Sequence, residues 1–411
     1  MVARPLRLRP VTDLVSLDDI RDAARRLDGV IQHTPVEPSR AVSEVAGMHT
    51  LLKCEHLQRT GSFKIRGAYN RISRLDDEAK SRGVVCASAG NHAQGVALSA
   101  QLAGTSARVY MPQGAPLPKV AATRAYGAEV VLEGETFDDA FAASREWIAE
   151  HGATFVHPFD HPDIIAGQGT IGLEILEQVP DVGSVVVAMG GGGLASGVAT
   201  AIKALRPACR IVGVQATGAA SFPASLAAGE PRPPETMSTI ADGIAVKHPG
   251  VLTLAHVRER VDEVVTVTDE AIARAVLLLV ERAKQVVEPA GAAGLAAVLG
   301  DRGSFPPPVV AVLCGGNVDP LLLQRILQSG MFEEGRFFAF ETVLRDRPGA
   351  LSALLQLIAT TGTNVIAVGH HRMRTRLGVS EVEVELEVET RGHDHIDALR
   401  ETLVDAGYLI R

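Results

Sequence analysis

The sequence predicts an α/β protein of parallel sheets covered by helices, followed by a small ferredoxin-like βαββα domain. Three observations carry that expectation. From about residue 50 onward, short Val- and Ile-rich runs alternate with Ala-rich amphipathic stretches, the pattern of crossover units in a buried parallel sheet. Aromatics are only 4% of the chain while glycine occurs 40 times, a mix suited to helices packed closely on a sheet. Near residue 336 the texture changes: Val379 to Thr390 alternates Glu with Val or Leu, the period of a half-exposed antiparallel strand.

In chain order, residues 17–28 are expected to form a helix, with Ser16 as its cap and Asp18 and Asp19 in its first turn, where carboxylates meet the positive end of the helix. Strands are expected at Gly83–Ala87, Ala107–Met111, Glu129–Leu132, Ser184–Ala188, Arg210–Val214 and Val309–Leu313. Small-residue helices, Ala93 to Leu102 and 195–205, follow the first and fourth of these strands. Gly330, Glu333, Glu334 and Gly335 mark residues 330–336 as a linker between a region 1–329 and a domain 337–411. In that domain, Arg336–Leu344, Asn364–His371 and Val379–Thr390 read as strands, and Ala350–Thr360 and Asp394–Ala406 as helices, the order βαββα.

Composition narrows the function. A chain of 411 residues with net charge −8 and few aromatics does not suit a polyanion, so no nucleic-acid partner is expected. Cys54, Cys86, Cys209 and Cys314 form no C-x-x-C pair, which points away from zinc or disulfides and towards a reducing compartment. Met1 to Pro10 alternates Arg with Leu and Pro and lacks the apolar core of a signal peptide. No unbroken apolar stretch is long enough to span a membrane. A soluble, cytoplasmic protein is expected.

The chemistry centres on Lys64, in Ser62-Phe63-Lys64-Ile65-Arg66-Gly67-Ala68. Small and apolar neighbours desolvate an amine and favour its neutral, nucleophilic form; a surface lysine opening a helix is the alternative. Ser88-Ala89-Gly90-Asn91-His92 follows a strand and opens a helix, where free N–H groups receive an anion. An ordinary turn and cap has the same composition. Gly190-Gly191-Gly192-Gly193-Leu194 lies between another strand and helix, and its backbone can curl several N–H groups around one oxyanion. A dinucleotide site would want an acid at the end of the next strand; Gln215 stands there, so a phosphate cup is favoured. Cys314-Gly315-Gly316-Asn317 closes the last core strand, with Cys314 either a small hydrophobe or a group facing a heterocyclic nitrogen.

A reactive lysine, a phosphate cup and a partner for a ring nitrogen outline a pyridoxal phosphate site. On these motifs, together with Ile240-Ala241-Asp242-Gly243-Ile244-Ala245-Val246 and Val287-Glu288-Pro289-Ala290-Gly291, the chain resembles the threonine and serine dehydratases of the fold-type-II, tryptophan-synthase-β-like family. The likeness covers roughly residues 15–325. The tail, with Asp346-Arg347-Pro348-Gly349-Ala350-Leu351, resembles an ACT regulatory domain.

The resemblance implies a two-lobed enzyme, its smaller lobe inserted at about 55–155, with pyridoxal 5'-phosphate as cofactor. Lys64 matches the cofactor-bearing catalytic lysine, and Phe63 is its neighbour at the cofactor. Asn91 matches the asparagine beside the ring hydroxyl, Gly190, Gly191, Gly192, Gly193 and Leu194 the phosphate loop, and Cys314 the neutral partner of the ring nitrogen. Ser88, Ala89, Gly90, Asn91 and His92 match the loop holding the substrate carboxylate. The implied reaction converts L-threonine to 2-oxobutyrate and ammonia, with L-serine to pyruvate as a side activity. Serine racemase and 3-hydroxyaspartate ammonia-lyase are the alternatives. Racemases carry a serine where Ala89 stands, and acidic cation ligands where Gln215 and Ser221 stand, so no metal site is expected. An amino-acid effector is expected at Asp346, Pro348, Gly349 and Asn364, in a homodimer or homotetramer; support of oligomerisation alone is the other reading. His370, His371, His393 and His395 are expected to be solvated.

Overall fold

A computed structural model describes residues 14–301, 303–372 and 377–411; the N-terminal segment Met1 to Pro10 lies outside them. The chain divides after Pro320 into two compact units.

The first unit begins with the expected helix, Leu17–Leu27, closed by a reciprocal capping box between Ser16 and Asp19. Its strands are β1 (Val36–Pro38), β2 (Thr50–Lys53), β3 (Val84–Ala87), β4 (Ala107–Met111), β5 (Glu129–Leu132), β6 (Thr154–Phe155), β7 (Ser184–Ala188), β8 (Arg210–Ala216), β9 (Glu263–Val267) and β10 (Val309–Val312). Two sheets result. One has the order β5-β4-β3-β6 and is parallel throughout. The other runs β1-β2-β10-β7-β8-β9, with only the edge pair β1/β2 antiparallel. The buried cores of β3, β7 and β10 explain why they were legible as continuous apolar runs. From β7 the chain steps through β8 to β9, then returns to lay β10 on the other side of β7. That reversal opens a crevice at the carboxyl ends of β7 and β10, the place where such sheets bind ligands.

Helices approach closely around this crevice because glycine removes their side chains. A Cβ on Gly167 would lie 2.6 Å from the Cα of Gly67, and one on Gly197 would lie 2.3 Å from the Ile165 carbonyl. Helix Lys64–Ser73 is also fastened from its buried side. Arg66, with 0% of its surface exposed, donates Nε and Nη2 to Glu55 at 2.8 and 2.7 Å. It donates Nη1 and Nη2 to Glu174 at 2.5 and 3.0 Å. Lys53 Nζ meets the same Glu174 carboxylate at 2.5 Å. Burial opposes each charge, yet the two carboxylates hold the Arg66 guanidinium above its ordinary pKa, and Arg66 and Lys53 hold Glu174 below its own.

The second unit opens inside helix Pro320–Glu333, whose first residue closes the first unit. The expected linker 330–336 is corrected accordingly: its first four residues finish this helix, and Gly335, with φ +66°, makes a tight turn. Leu321, Leu322, Leu323 and Ile326 supply helical periodicity that the glycines and glutamates farther on obscured. The βαββα order follows: β11 (Phe337–Arg345), helix Ala350–Thr360, β12 (Asn364–His371), β13 (Glu381–Glu389) and helix His393–Asp405. The sheet order is β11-β13-β12, all antiparallel neighbours. Phe338, Phe340, Leu354, Ile358, Val384, Leu386, Leu399 and Leu403 form its core.

Candidate active site

Three loops meet in one cavity of about 890 Å³, each leaving the carboxyl end of a parallel strand. The loop after β3, Ser88 to Gly90, leads into helix Asn91–Ala103. The loop after β7, Gly190 to Gly192, caps helix Gly193–Leu205, with Gly192 at φ +93°. Cys314 follows β10. Phe63 and Lys64 join them because the chain before Lys64 pairs with the chain after Cys314. The Phe63 N–H donates to the Cys314 carbonyl at 3.2 Å, and the Gly316 N–H to the Gly61 carbonyl at 2.9 Å. Phe63, Lys64, Ser88, Ala89, Gly90, Asn91, His92, Gly190, Gly191, Gly192, Gly193, Leu194 and Cys314 all line the cavity.

Lys64 is accessible only in part, and its Nζ donates to the Pro158 carbonyl at 3.1 Å. Enclosure by protein lowers its pKa from 10.5 to about 8, against the pull of Cys314 and Glu288. A Cβ on Gly95 would lie 3.1 Å from the Lys64 carbonyl carbon, so a side chain there would press on the backbone that carries Lys64. Burial pushes the Cys314 thiol up to about 12, which keeps it neutral. It pushes His92 down to about 3 and His157 down to about 4, so both rings are uncharged. His92 Nε2 bonds the Val156 carbonyl at 2.8 Å. His157 Nδ1 accepts the N–H groups of Phe159 and Asp160 at 3.2 and 2.7 Å.

The residues fit pyridoxal phosphate. The glycine loop presents the first turn of a helix, whose N–H groups lack intrahelical partners, to the cavity. Its missing side chains leave the cradle open: a Cβ on Gly191 would lie 2.3 Å from the Phe159 ring. A neutral thiol suits a ring nitrogen, and an amine of lowered pKa suits an aldehyde.

Glu288 was not singled out by the sequence as a site residue. It lies inside a quoted motif, but a glutamate before Pro289 at a helix start looks like an ordinary cap. In the fold it is 5% exposed, lines the cavity and accepts from Asn91 Nδ2 at 2.5 Å. Burial raises its pKa to about 7, with Asp242 adding to the rise and Asn91, Lys119 and Lys64 opposing it. Gln215 and Ser221 are buried, and Gln215 Oε1 accepts the Phe222 N–H at 2.8 Å.

In the second unit the expected effector residues are not brought together. β11 and β12 both run antiparallel to β13, so they run parallel to each other. The end of β11 is therefore level with the end of β12. Asp346, followed by Pro348 and Gly349, meets Arg372 at 2.8 Å. Asn364 starts β12 at the far end, opposite Glu389. Of the histidines expected to be solvated, His370 and His393 are exposed and His371 and His395 half-buried; His393 also bonds the Glu333 carbonyl at 3.1 Å and His395 the Thr361 carbonyl at 3.0 Å.

Residues 27–315 match the family described as pyridoxal-phosphate dependent enzyme. The chain is 48% identical over 398 residues to the L-threonine ammonia-lyase of Thermotoga maritima, covering 97% of this chain and 99% of that one. Among solved structures, a threonine deaminase from T.th. is 44% identical with TM-score 0.71, covering 74% of this chain and 99% of that one. Maize serine racemase is 38% identical with TM-score 0.73, covering 79% of this chain and 100% of that one.

Proposed function

The chain belongs to the pyridoxal-phosphate dependent enzymes, and from that premise we propose that it converts L-threonine to 2-oxobutyrate and ammonia, with L-serine to pyruvate as a lesser reaction. The observation that carries this reading is the single cavity in which Lys64, the glycine loop, Ser88–His92 and Cys314 face one another. Likeness to an L-threonine ammonia-lyase along almost the whole chain supports the choice of substrate.

Bound cofactor supplies the electron sink for the charge left at the α-carbon. The chain's own residues do the rest. Gly190 to Gly193 would hold the phosphate with backbone N–H groups, and Ser88 to His92 the substrate carboxylate at the start of a helix. Cys314 would offer the ring nitrogen a partner that stays neutral. The Lys64 amine would take the α-proton, and the β-hydroxyl would leave with a proton as water. The freed enamine would tautomerise to the imine, to which water adds as ammonia leaves, giving the 2-oxo acid. Ala89 lines the cavity without a proton to exchange, which disfavours racemisation. For the second unit we propose an ACT-type regulatory role in a homo-oligomer, with an amino acid bound near the turn Asp346–Gly349. Among the described residues no helix is long and apolar enough to cross a membrane, which supports a cytoplasmic placement.

The test is 2-oxo acid release from a panel of β-hydroxy amino acids, with and without isoleucine or valine. Threonine should be the best substrate. D-serine as the main product, or strict dependence on Mg²⁺, would overturn the reading in favour of a racemase or hydroxyaspartate lyase. The phosphate loop has its own test. A Gly191→Ala methyl collides with Phe159, and overpacking of this kind costs about 1–3 kcal/mol. Cofactor titrated into the Gly191→Ala apoprotein should bind roughly ten- to a hundredfold more weakly. Equal affinity would show that the loop does not cradle the phosphate.

A further inference from the structure

Asn317 ends the glycine segment after β10 and serves two partners with one nitrogen. Its Nδ2 donates to the Thr60 carbonyl at 2.7 Å and to Asn91 Oδ1 at 2.8 Å. Asn91 Nδ2 donates in turn to Glu288 Oε1 at 2.5 Å. A backbone carbonyl can only accept. The Asn317 atom beside it is therefore nitrogen, the Asn91 atom beside that nitrogen is oxygen, and the far end of the Asn91 amide is its NH2. One peptide carbonyl thus orients two amides in series.

The fold makes room for this chain of bonds at some cost. Thr60 holds its carbonyl at φ +65°, a region that a β-branched residue rarely enters, and strain of this sort gathers at working sites. A Cβ on Gly61 would lie 2.5 Å from Asn317 Oδ1, and one on Gly315 would lie 2.3 Å from Glu288 Oε1. Both glycines leave space for the side chains of the chain of bonds.

We propose that Asn317 is a positioning residue: tethered to the left-handed Thr60, it keeps the Asn91 amide turned with its NH2, not its carbonyl, towards Glu288 and the cavity. An NH2 carries two hydrogens, so Asn91 serves Glu288 and still offers a donor to the ring hydroxyl of the cofactor. The inference rests on the proposed place of Asn91 beside that ring. The tether matters because Glu288 titrates near neutral pH, among Asp242, Lys119, Lys64 and Cys314. A protonated Glu288 can donate to an amide oxygen. Without Asn317, the amide would turn over as Glu288 gained its proton.

The test compares holoenzyme spectra of wild type, Asn91→Ala, Asn317→Ala and Asn317→Ala/Glu288→Gln from about pH 6 to 8, the range in which Glu288 titrates. Asn317→Ala should shift the visible cofactor band, add a pH-dependent step absent from wild type, and weaken cofactor binding about two- to tenfold, the effect of one hydrogen bond. Glu288→Gln in the same background should abolish the step. A fall in Tm with an unchanged spectrum, or a step that survives Glu288→Gln, would overturn the proposal. Should the alanine variant not fold, Asn317→Leu keeps the side-chain volume with neither donor nor charge, and the same band shift is expected. An Asn91→Ala spectrum like that of wild type would reject the placement of Asn91 and the proposal with it. A changed Asn91→Ala spectrum beside an unchanged Asn317→Ala spectrum would reject the proposal alone.

Discussion

A Lys64→Ala variant is expected to lose the yellow colour of attached cofactor and to release 2-oxobutyrate at least ~10³-fold more slowly at saturating threonine. Two functions vanish together: the nucleophile that attaches the aldehyde and the base that takes the α-proton. A pH signature accompanies the loss. With its pKa lowered from 10.5 to about 8, roughly a tenth of the Lys64 amine is neutral at pH 7, against fewer than about one in a thousand for an exposed lysine. Only the neutral form attacks. Capture of added cofactor by wild-type apoprotein should therefore rise with pH up to about 8 and flatten above it. A stopped-flow rate that keeps climbing beyond pH 9 would mean that the surroundings of Lys64 do not tune it.

Arg66→Met is the second large effect. The guanidinium lies between Glu55 and Glu174 with no surface exposed, so its removal leaves two carboxylates facing each other without solvent. Breaking a buried ion pair from one side costs ~3–5 kcal/mol. The midpoint of urea unfolding should fall accordingly, with Lys53 sparing Glu174 part of the loss. A change under ~1 kcal/mol would show that the cluster relaxes or takes up water. Replacing Arg66, Glu55, Glu174 and the buried Lys53 that pairs with Glu174 together by apolar residues of similar volume should cost far less, because no charge is left behind.

How far the sequence revealed this molecule depends on how local each signal is. The central strands were legible because a strand covered on both faces must be apolar throughout. The three loops of the site were legible because each directly follows such a strand. β1 and β6, of three and two residues, are too short to show any period. Helix Pro320–Glu333 was not read from the sequence, and Gly330, taken as a breaker opening a linker, is buried inside it. Asn364 was grouped with Asp346 on motif alone, and only the pairing of β12 with β13 separates them. Glu288 and Thr60 escaped for the same reason. Their significance lies in partners remote in the chain, and a carboxyl or a threonine carries no local sign of what it will meet.

The joining of Phe63 to Cys314 also sets an order of events during synthesis. Lys64 leaves the ribosome early, whereas Pro158, Glu288 and Cys314, which surround its amine, arrive much later. Until they do, Lys64 is one lysine among many and as slow to react with an aldehyde as any other. Its reactivity is thus a product of the finished first unit. Uptake of cofactor by a nascent chain should report, as a coloured signal, the moment at which β10 closes against β7.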